Sequence, residues 1–187
     1  MTLSLGERAA REWGVLRAKL QLRRRGVTVG DRPLIEGWAP VIKNEGVIEL
    51  GDRLLTQCFE SRILLRCGPG ARLSIGDRVY LNSGITVTAA ADISIGNDVK
   101  IASNVAISST AGHEMVGGEG IRAGEVIIRD NVWIGRGAFI LPGVTIGANS
   151  IIGAGSVVTK DVPPDSVFAG APARFVRQLS PSSRARK

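Results

Sequence analysis

Branched aliphatic residues return at every sixth position across Val126 to Val158: Ile128, Ile134, Ile140, Ile146, Ile152 and Val158. Four places after each of the first five stand Val132, Ala138, Val144, Ser150 and Ser156, again small or branched. Glycine follows the aliphatic at Gly135, Gly147 and Gly153. This period fits neither a helix, at about 3.6, nor a half-buried strand, at about 2. It predicts short strands joined by bends and stacked as a parallel β-helix. Each aliphatic then points inward and meets those of the coils above and below. The position four places on falls near the bend, where only a small or short branched side chain fits. Glycine beside the bend is expected to supply backbone angles that other residues resist.

Earlier units begin alike, at Leu50-Gly51-Asp52, Ile75-Gly76-Asp77 and Ile95-Gly96-Asn97, followed by Ile128-Arg129-Asp130 and Ile146-Gly147-Ala148. Their spacings are 25, 20, 33 and 18 residues, and three hexads make one 18-residue turn of a three-sided coil. The excesses are 7, 2, 15 and 0. The largest interrupts the repeat after Ile107 as SSTAGHEMVGGEGIRAGE, Ser108 to Glu125, and it carries His113, the single histidine of the chain. Long excursions from a rigid scaffold are where function concentrates.

The ends read differently. Ser4 and Glu7 fit a capping box, Ala9, Trp13, Leu16 and Leu20 recur at helical spacing among arginines, and Gly26 follows three arginines. Residues 5–25 are therefore expected to form an amphipathic basic helix, within an N-terminal segment of residues 1–32. Its apolar stripe is expected to pack on the solenoid end or a neighbouring subunit, the alternative being a weak membrane-surface contact. Residues 26–46, with Pro33 and Pro40, look like an irregular lead-in. The solenoid domain is placed at 33–172, its regular hexads ending at Val162-Pro163-Pro164-Asp165. Residues 173–187 are expected to hold a short helix and a basic tail. The fold class is all-β.

Composition agrees with this reading. Hydrophobic residues make up 44% of the 187 positions but aromatics only 4%, as a thin interior of branched side chains requires. No apolar run reaches membrane-spanning length and the first residues lack a signal-peptide core, so a cytoplasmic protein is expected. Cys58 and Cys67 form no metal or redox motif and are expected as buried free thiols. The net charge of +7 resides in the ends: residues 1–32 and 171–187 each sum to +5, the body between to −3. No aromatic or groove-reading element accompanies the basic residues, so nucleic acid is not the expected partner. An anionic ligand or an anionic membrane surface suits them better.

The run DNVWIGRGAFILPGVTIGANSIIGAGSVVTKDVPPDSVFAGAPARFVR, Asp130 to Arg177, together with the single TAGH ahead of a loop, resembles the hexapeptide-repeat acyltransferases. It is most similar to the maltose and galactoside O-acetyltransferases and the polysaccharide-cluster acetyltransferases. The likeness extends from Ile75 onward and is weak before Leu50. It implies a left-handed coil, a homotrimer with sites between subunits, acetyl-CoA as donor and no metal. It implies His113 as the general base, with Glu114 beside it, and Asn82 orienting the acceptor or the histidine. Tyr80 would line the acceptor pocket. Trp133, Arg136, Ala154, Thr159 and Lys160 would line the thioester and pantetheine arm, Arg136 replacing the small residue usual in the family. Arg174 and Arg177 would meet the phosphates, as paired guanidinium groups do well.

The chemistry suits those residue types. A hydroxyl attacking a thioester needs a base whose pKa lies near working pH, and imidazole supplies it. A single histidine excludes the three-histidine zinc site that this solenoid also carries in carbonic anhydrases. The expected activity is O-acetylation of a saccharide or glycoconjugate precursor. The alternatives are N-acetylation of an amino-sugar nucleotide and a catalytically silent trimeric scaffold.

Overall fold

The computed structural model describes residues 5–111 and 123–180, with side chains from residue 12 onward in the first helix. Three sheets of six, eight and six strands, parallel except for the last strand of the second, form the walls of a three-sided coil. The first sheet runs from Val27–Val29 to Thr145–Ile146, the second from Leu34–Gly37 to Ser166–Ala169, and the third from Val41–Asn44 to Val157–Val158. One strand from each sheet makes a coil, so six coils are complete and Ser166–Ala169 opens a seventh. Registers match the spacings read from the sequence: Leu50 pairs with Ile75, Ile75 with Ile95, Ile95 with Ile128 and Ile128 with Ile146. The extra residues are thus extruded between strands while the inward columns stay in line. All five positions four places past the aliphatics are buried, as space at the bends demands.

Three expectations are corrected. Residues 26–46 are not a lead-in but the first full coil, with strands at Val27–Val29, Leu34–Gly37 and Val41–Asn44. Pro33 and Pro40 sit just before two of these strands, where a missing N–H removes no ladder bond. The expected short helix after residue 172 is not found among the described residues. Arg174–Gln178 is a strand, antiparallel to Ser166–Ala169, and it closes the open edge of the second sheet. Phe175 meets Phe168 edge-on at 5.9 Å across this pair. The glycines after the aliphatics are also explained differently. None of the three adopts left-handed backbone, which at the bend between the first and second sheets falls at Arg32, Arg53, Arg78, Asp98, Asn131, Asn149 and Asp165, one per coil, and at the next bend at Gly84, Asn104, Gly137 and Gly155. Gly135, Gly147 and Gly153 are needed for close approach: a Cβ there would lie 2.6, 2.3 and 2.8 Å from atoms of the following coil.

The same bend explains the repeated Gly-Asp/Asn pairs. Asp77 Oδ1 accepts from Asp52 N–H, Asn97 Oδ1 from Asp77 N–H, and Asp130 Oδ1 from Asn97 N–H. A Cβ at Gly51, Gly76 or Gly96 would strike these side-chain oxygens. Glycine therefore opens the space through which one coil's side chain satisfies the backbone of the preceding coil.

One inward column breaks the apolar rule. In the second sheet Ile35, Thr56, Leu81, Ile101, Ile134 and Ile152 stack in register. Thr56 is buried and its hydroxyl, beside the Cys58 thiol, has no hydrogen-bond partner of good geometry among the described residues. Thr56→Val keeps the shape and removes the unsatisfied group, so it is expected to raise stability by about 1 kcal/mol in denaturant unfolding. The neighbouring Cys58 is buried as well, and its burial pushes the thiol pKa up, which keeps it protonated and inert. Cys67 is likewise free and buried.

The helix spans Leu5–Arg23 and lies against the first coil. The contacting face is not the anticipated one. Ala18 and Leu22 are buried and Gly14 faces Leu34, whereas Trp13, Leu16 and Leu20 remain exposed.

Candidate active site

The described sites read from the sequence fall into three groups on the coil surface. On the outer face of the second sheet, Tyr80, Lys100, Trp133, Ile151 and Val167 share one column, and Arg177 pairs beside Val167. Trp133 is 55% exposed at its centre. Lys100 was not singled out in the sequence. Its signal was there, because it lies 20 residues after Tyr80, the same step that relates Ile75 to Ile95.

A second column runs down the adjoining bend, where the second sheet turns into the third. Asn82, Ala102, Gly135 and Gly153 occupy equivalent places, each donating its N–H to the strand of the next coil. Arg136 and Ala154 follow the last two, and the Arg136 carbonyl accepts from Gly155 N–H at 2.8 Å. Ala169 continues the column and pairs with Arg174. From Ala102 to Ala169 this track carries no side chain larger than a methyl group. It covers three coil spacings, about 14 Å at the usual strand separation, with Asn82 one coil above it.

Polar support lies above it. The Tyr80 hydroxyl donates to Gln57 Oε1 at 2.5 Å, and Gln57 Nε2 donates to Glu36 Oε2 at 2.7 Å. Burial first, then the charge of Glu36, raises the Tyr80 phenol pKa, so the group stays neutral and fixed as a donor. Gln57 and Glu36 escaped sequence reading because they belong to the first two coils, where no hexad register was evident. Asn82 Oδ1 accepts from Ser83 N–H at 2.7 Å, which ties the side chain to its own turn and leaves the amide Nδ2 as its available donor.

Thr159 and Lys160 lie elsewhere, at the bend where the third sheet returns to the first. Thr110 and Ala123 form an antiparallel bridge there, pinning together the two ends of the long excursion. Gly124 N–H donates to Ser109 O and Gly143 N–H to Gly124 O. A cleft of about 670 Å³ opens at this place, lined by Thr110, Ala111, Ala123, Phe139, Leu141 and Thr159 among others. His113 and Glu114 lie outside the described residues. The two bends are separated within one coil by the third sheet, six residues that reach at most about 20 Å. Within a protomer Asn82 and Trp133 thus lie on one side of the third sheet and Thr159 on the other. Among the described residues no group of His, Cys, Asp and Glu could hold a metal ion. No described helix is long and apolar enough to cross a membrane.

Residues 125–160 match the bacterial transferase hexapeptide family, six repeats. The crystal structure of a maltose O-acetyltransferase from Clostridium difficile 630 is 30% identical, with 91% of this chain and 86% of that chain covered and a TM-score of 0.58. The chain belongs to the hexapeptide-repeat acyltransferases. Membership makes the coil of this acyltransferase left-handed, the rare hand for parallel crossovers. A hexapeptide-repeat acetyltransferase from Vibrio cholerae O1 biovar eltor, solved with acetyl coenzyme A, is 25% identical over 95% of this chain and 91% of that chain, with a TM-score of 0.55. A mutant of AntD, an N-acyltransferase from Bacillus cereus solved with dTDP and coenzyme A, is 22% identical over 87% of this chain and 90% of that chain, with a TM-score of 0.73. At that identity the likeness shows the fold alone. A comparison with curated protein sequences returns no match.

Proposed function

We propose that this acyltransferase moves an acetyl group from acetyl-CoA to a hydroxyl of a saccharide or glycoconjugate precursor. The observation that carries the reading is the cleft at the foot of the excursion. It joins Thr159, a donor-side residue, to Thr110, from which three residues of chain, at most about 10 Å, lead to His113. The overall likeness to a maltose O-acetyltransferase supports a sugar hydroxyl as acceptor.

In this reading the side-chain-free track beside Arg136 and Ala154 receives the pantetheine arm. Its length suits an extended arm, and only a surface without projecting side chains lets a narrow chain lie flat. Trp133 flanks the thioester end, Arg174 and Arg177 meet the phosphates, and Thr159 and Lys160 close the other wall. Because the two walls lie on different bends, a homotrimer completes the site, with one protomer's Trp133 bend facing its neighbour's Thr159 bend. Neutral His113 takes the acceptor proton as the hydroxyl oxygen bonds to the thioester carbon. The tetrahedral oxyanion collapses, the carbon–sulfur bond breaks, and the imidazolium returns its proton to the departing thiolate. Asn82 Nδ2 holds the acceptor oxygen or the imidazole, and Tyr80 lines the acceptor side. Glu114 is the neighbour that would orient the histidine.

Free thiol released from acetyl-CoA is the test, measured against maltose, galactosides, amino sugars, nucleotide amino sugars and serine. Release with hydroxyl acceptors is expected. Release only with amino-sugar nucleotides would replace this reading with N-acetylation. Failure both to release thiol and to bind acetyl-CoA would leave a scaffold.

A further inference from the structure

The helix Leu5–Arg23 has two faces, and only one is used by the fold. At about 100° per residue, Gly14, Ala18 and Leu22 point to one side and Trp13, Leu16 and Leu20 to the other, roughly 180° away. The first side is packed on the solenoid, Ala18 and Leu22 being 2% exposed. The second is open: Trp13 is 71% exposed and Leu16 and Leu20 are each 49% exposed. Together with Gly14 and Arg17 these three residues line a shallow groove of about 530 Å³. Apolar side chains of this size standing in a row on an otherwise charged helix need a partner.

Charge identifies it. Residues 5–25 hold seven basic and two acidic residues. Arg17 and Arg23 flank the stripe on either side, both exposed. Glu12, the acid nearest the groove, is turned toward Arg32 at 3.8 Å, and Lys19 is engaged by Asp31 at 2.6 Å on the side away from it. Neither Arg17 nor Arg23 forms an ion pair with a described acid, although Asp31 lies near enough to Arg23 to feel its charge, so the stripe keeps a net positive frame. A two-fold contact of this face with itself would bring like charges together, whereas an anionic lipid surface neutralises them and takes the indole and leucines into its headgroup boundary.

We propose that the Trp13–Leu16–Leu20 face docks the protein reversibly on an anionic membrane surface. The helix lies in the plane of the interface, and the solenoid stands on it through Ala18 and Leu22. Docking is independent of the acceptor and of the acetyl-transfer reading, since none of these residues lies near the cleft.

Flotation of the full-length protein with vesicles tests it, using phosphatidylcholine alone and phosphatidylcholine with phosphatidylglycerol at about 3:1. The expected result is flotation with the anionic vesicles only, lost on raising salt to about 0.5 M. The W13A/L16A/L20A variant should bind at least about tenfold more weakly while its melting transition and circular dichroism stay unchanged, because these side chains carry none of the fold. The proposal is overturned if the wild type stays unbound at low salt, or if the triple variant floats equally well. It is equally overturned if the variant changes the sedimenting mass of the protein without changing flotation, which would make the face a contact between copies.

Discussion

His113→Ala should lower acetyl transfer by about 10²–10⁴-fold, the range general-base catalysis contributes. The affinity for acetyl-CoA should change little, because the residues proposed to hold the donor, Trp133, Arg136, Ala154, Thr159 and Arg174, are all left in place by the substitution. The two quantities separate a catalytic role from a structural one. A loop residue needed only for folding would take donor binding down together with turnover. A histidine acting as the base lowers kcat and leaves the Kd for acetyl-CoA, measured by calorimetry, where it was. Stopped turnover with intact donor binding is therefore the expected signature. Wild-type turnover in the variant would remove His113 from the mechanism.

The second large effect concerns the scaffold. Ile134 is fully buried between Ile101 and Ile152 in the second sheet's inward column, directly beneath the outward Trp133. Ile134→Ala leaves a void between rigid coils that cannot close, because each strand is hydrogen-bonded above and below. The cost should be about 2–5 kcal/mol, visible as a lower denaturant midpoint with an unchanged slope. The Thr56→Val change in the same column should shift the midpoint the opposite way. Opposite signs from one column would show that apolar continuity along it sets stability.

The hexads made most of this fold legible. Ile128 to Val158 stated the coil outright, and the spacings 25, 20, 33 and 18 placed each earlier coil in its observed register. The first coil was hidden because its strands Leu34–Gly37 and Val41–Asn44 are only half buried, so their side chains carry no inward–outward signal. Arg174–Gln178 was misread because a five-residue stretch takes its state from the sheet edge waiting for it, which is a tertiary fact. The apolar stripe of the N-terminal helix was visible, but periodicity does not tell a buried stripe from an exposed one. Here Gly14, Ala18 and Leu22 took the packing face and Trp13, Leu16 and Leu20 were left outside.

The candidate site was legible residue by residue and not as a place. Tyr80 and Trp133 fell on one column and Asn82, Arg136 and Ala154 on the next, while Thr159 and Lys160 fell on a different bend. Counting hexads in threes separates these bends from Ile128 onward, but the insertions before it hide the count for Tyr80 and Asn82. Lys100 lies one coil step after Tyr80 and pairs with both Tyr80 and Trp133.

The linkage of the transferred acetyl group is the most direct measure of the account. After reaction with isotope-labelled acetyl-CoA and the acceptor that releases thiol, the product should be a saccharide carrying label that mild alkali removes, as it does from an oxygen ester. Label that survives alkali as an amide, or that never leaves the donor, would contradict it.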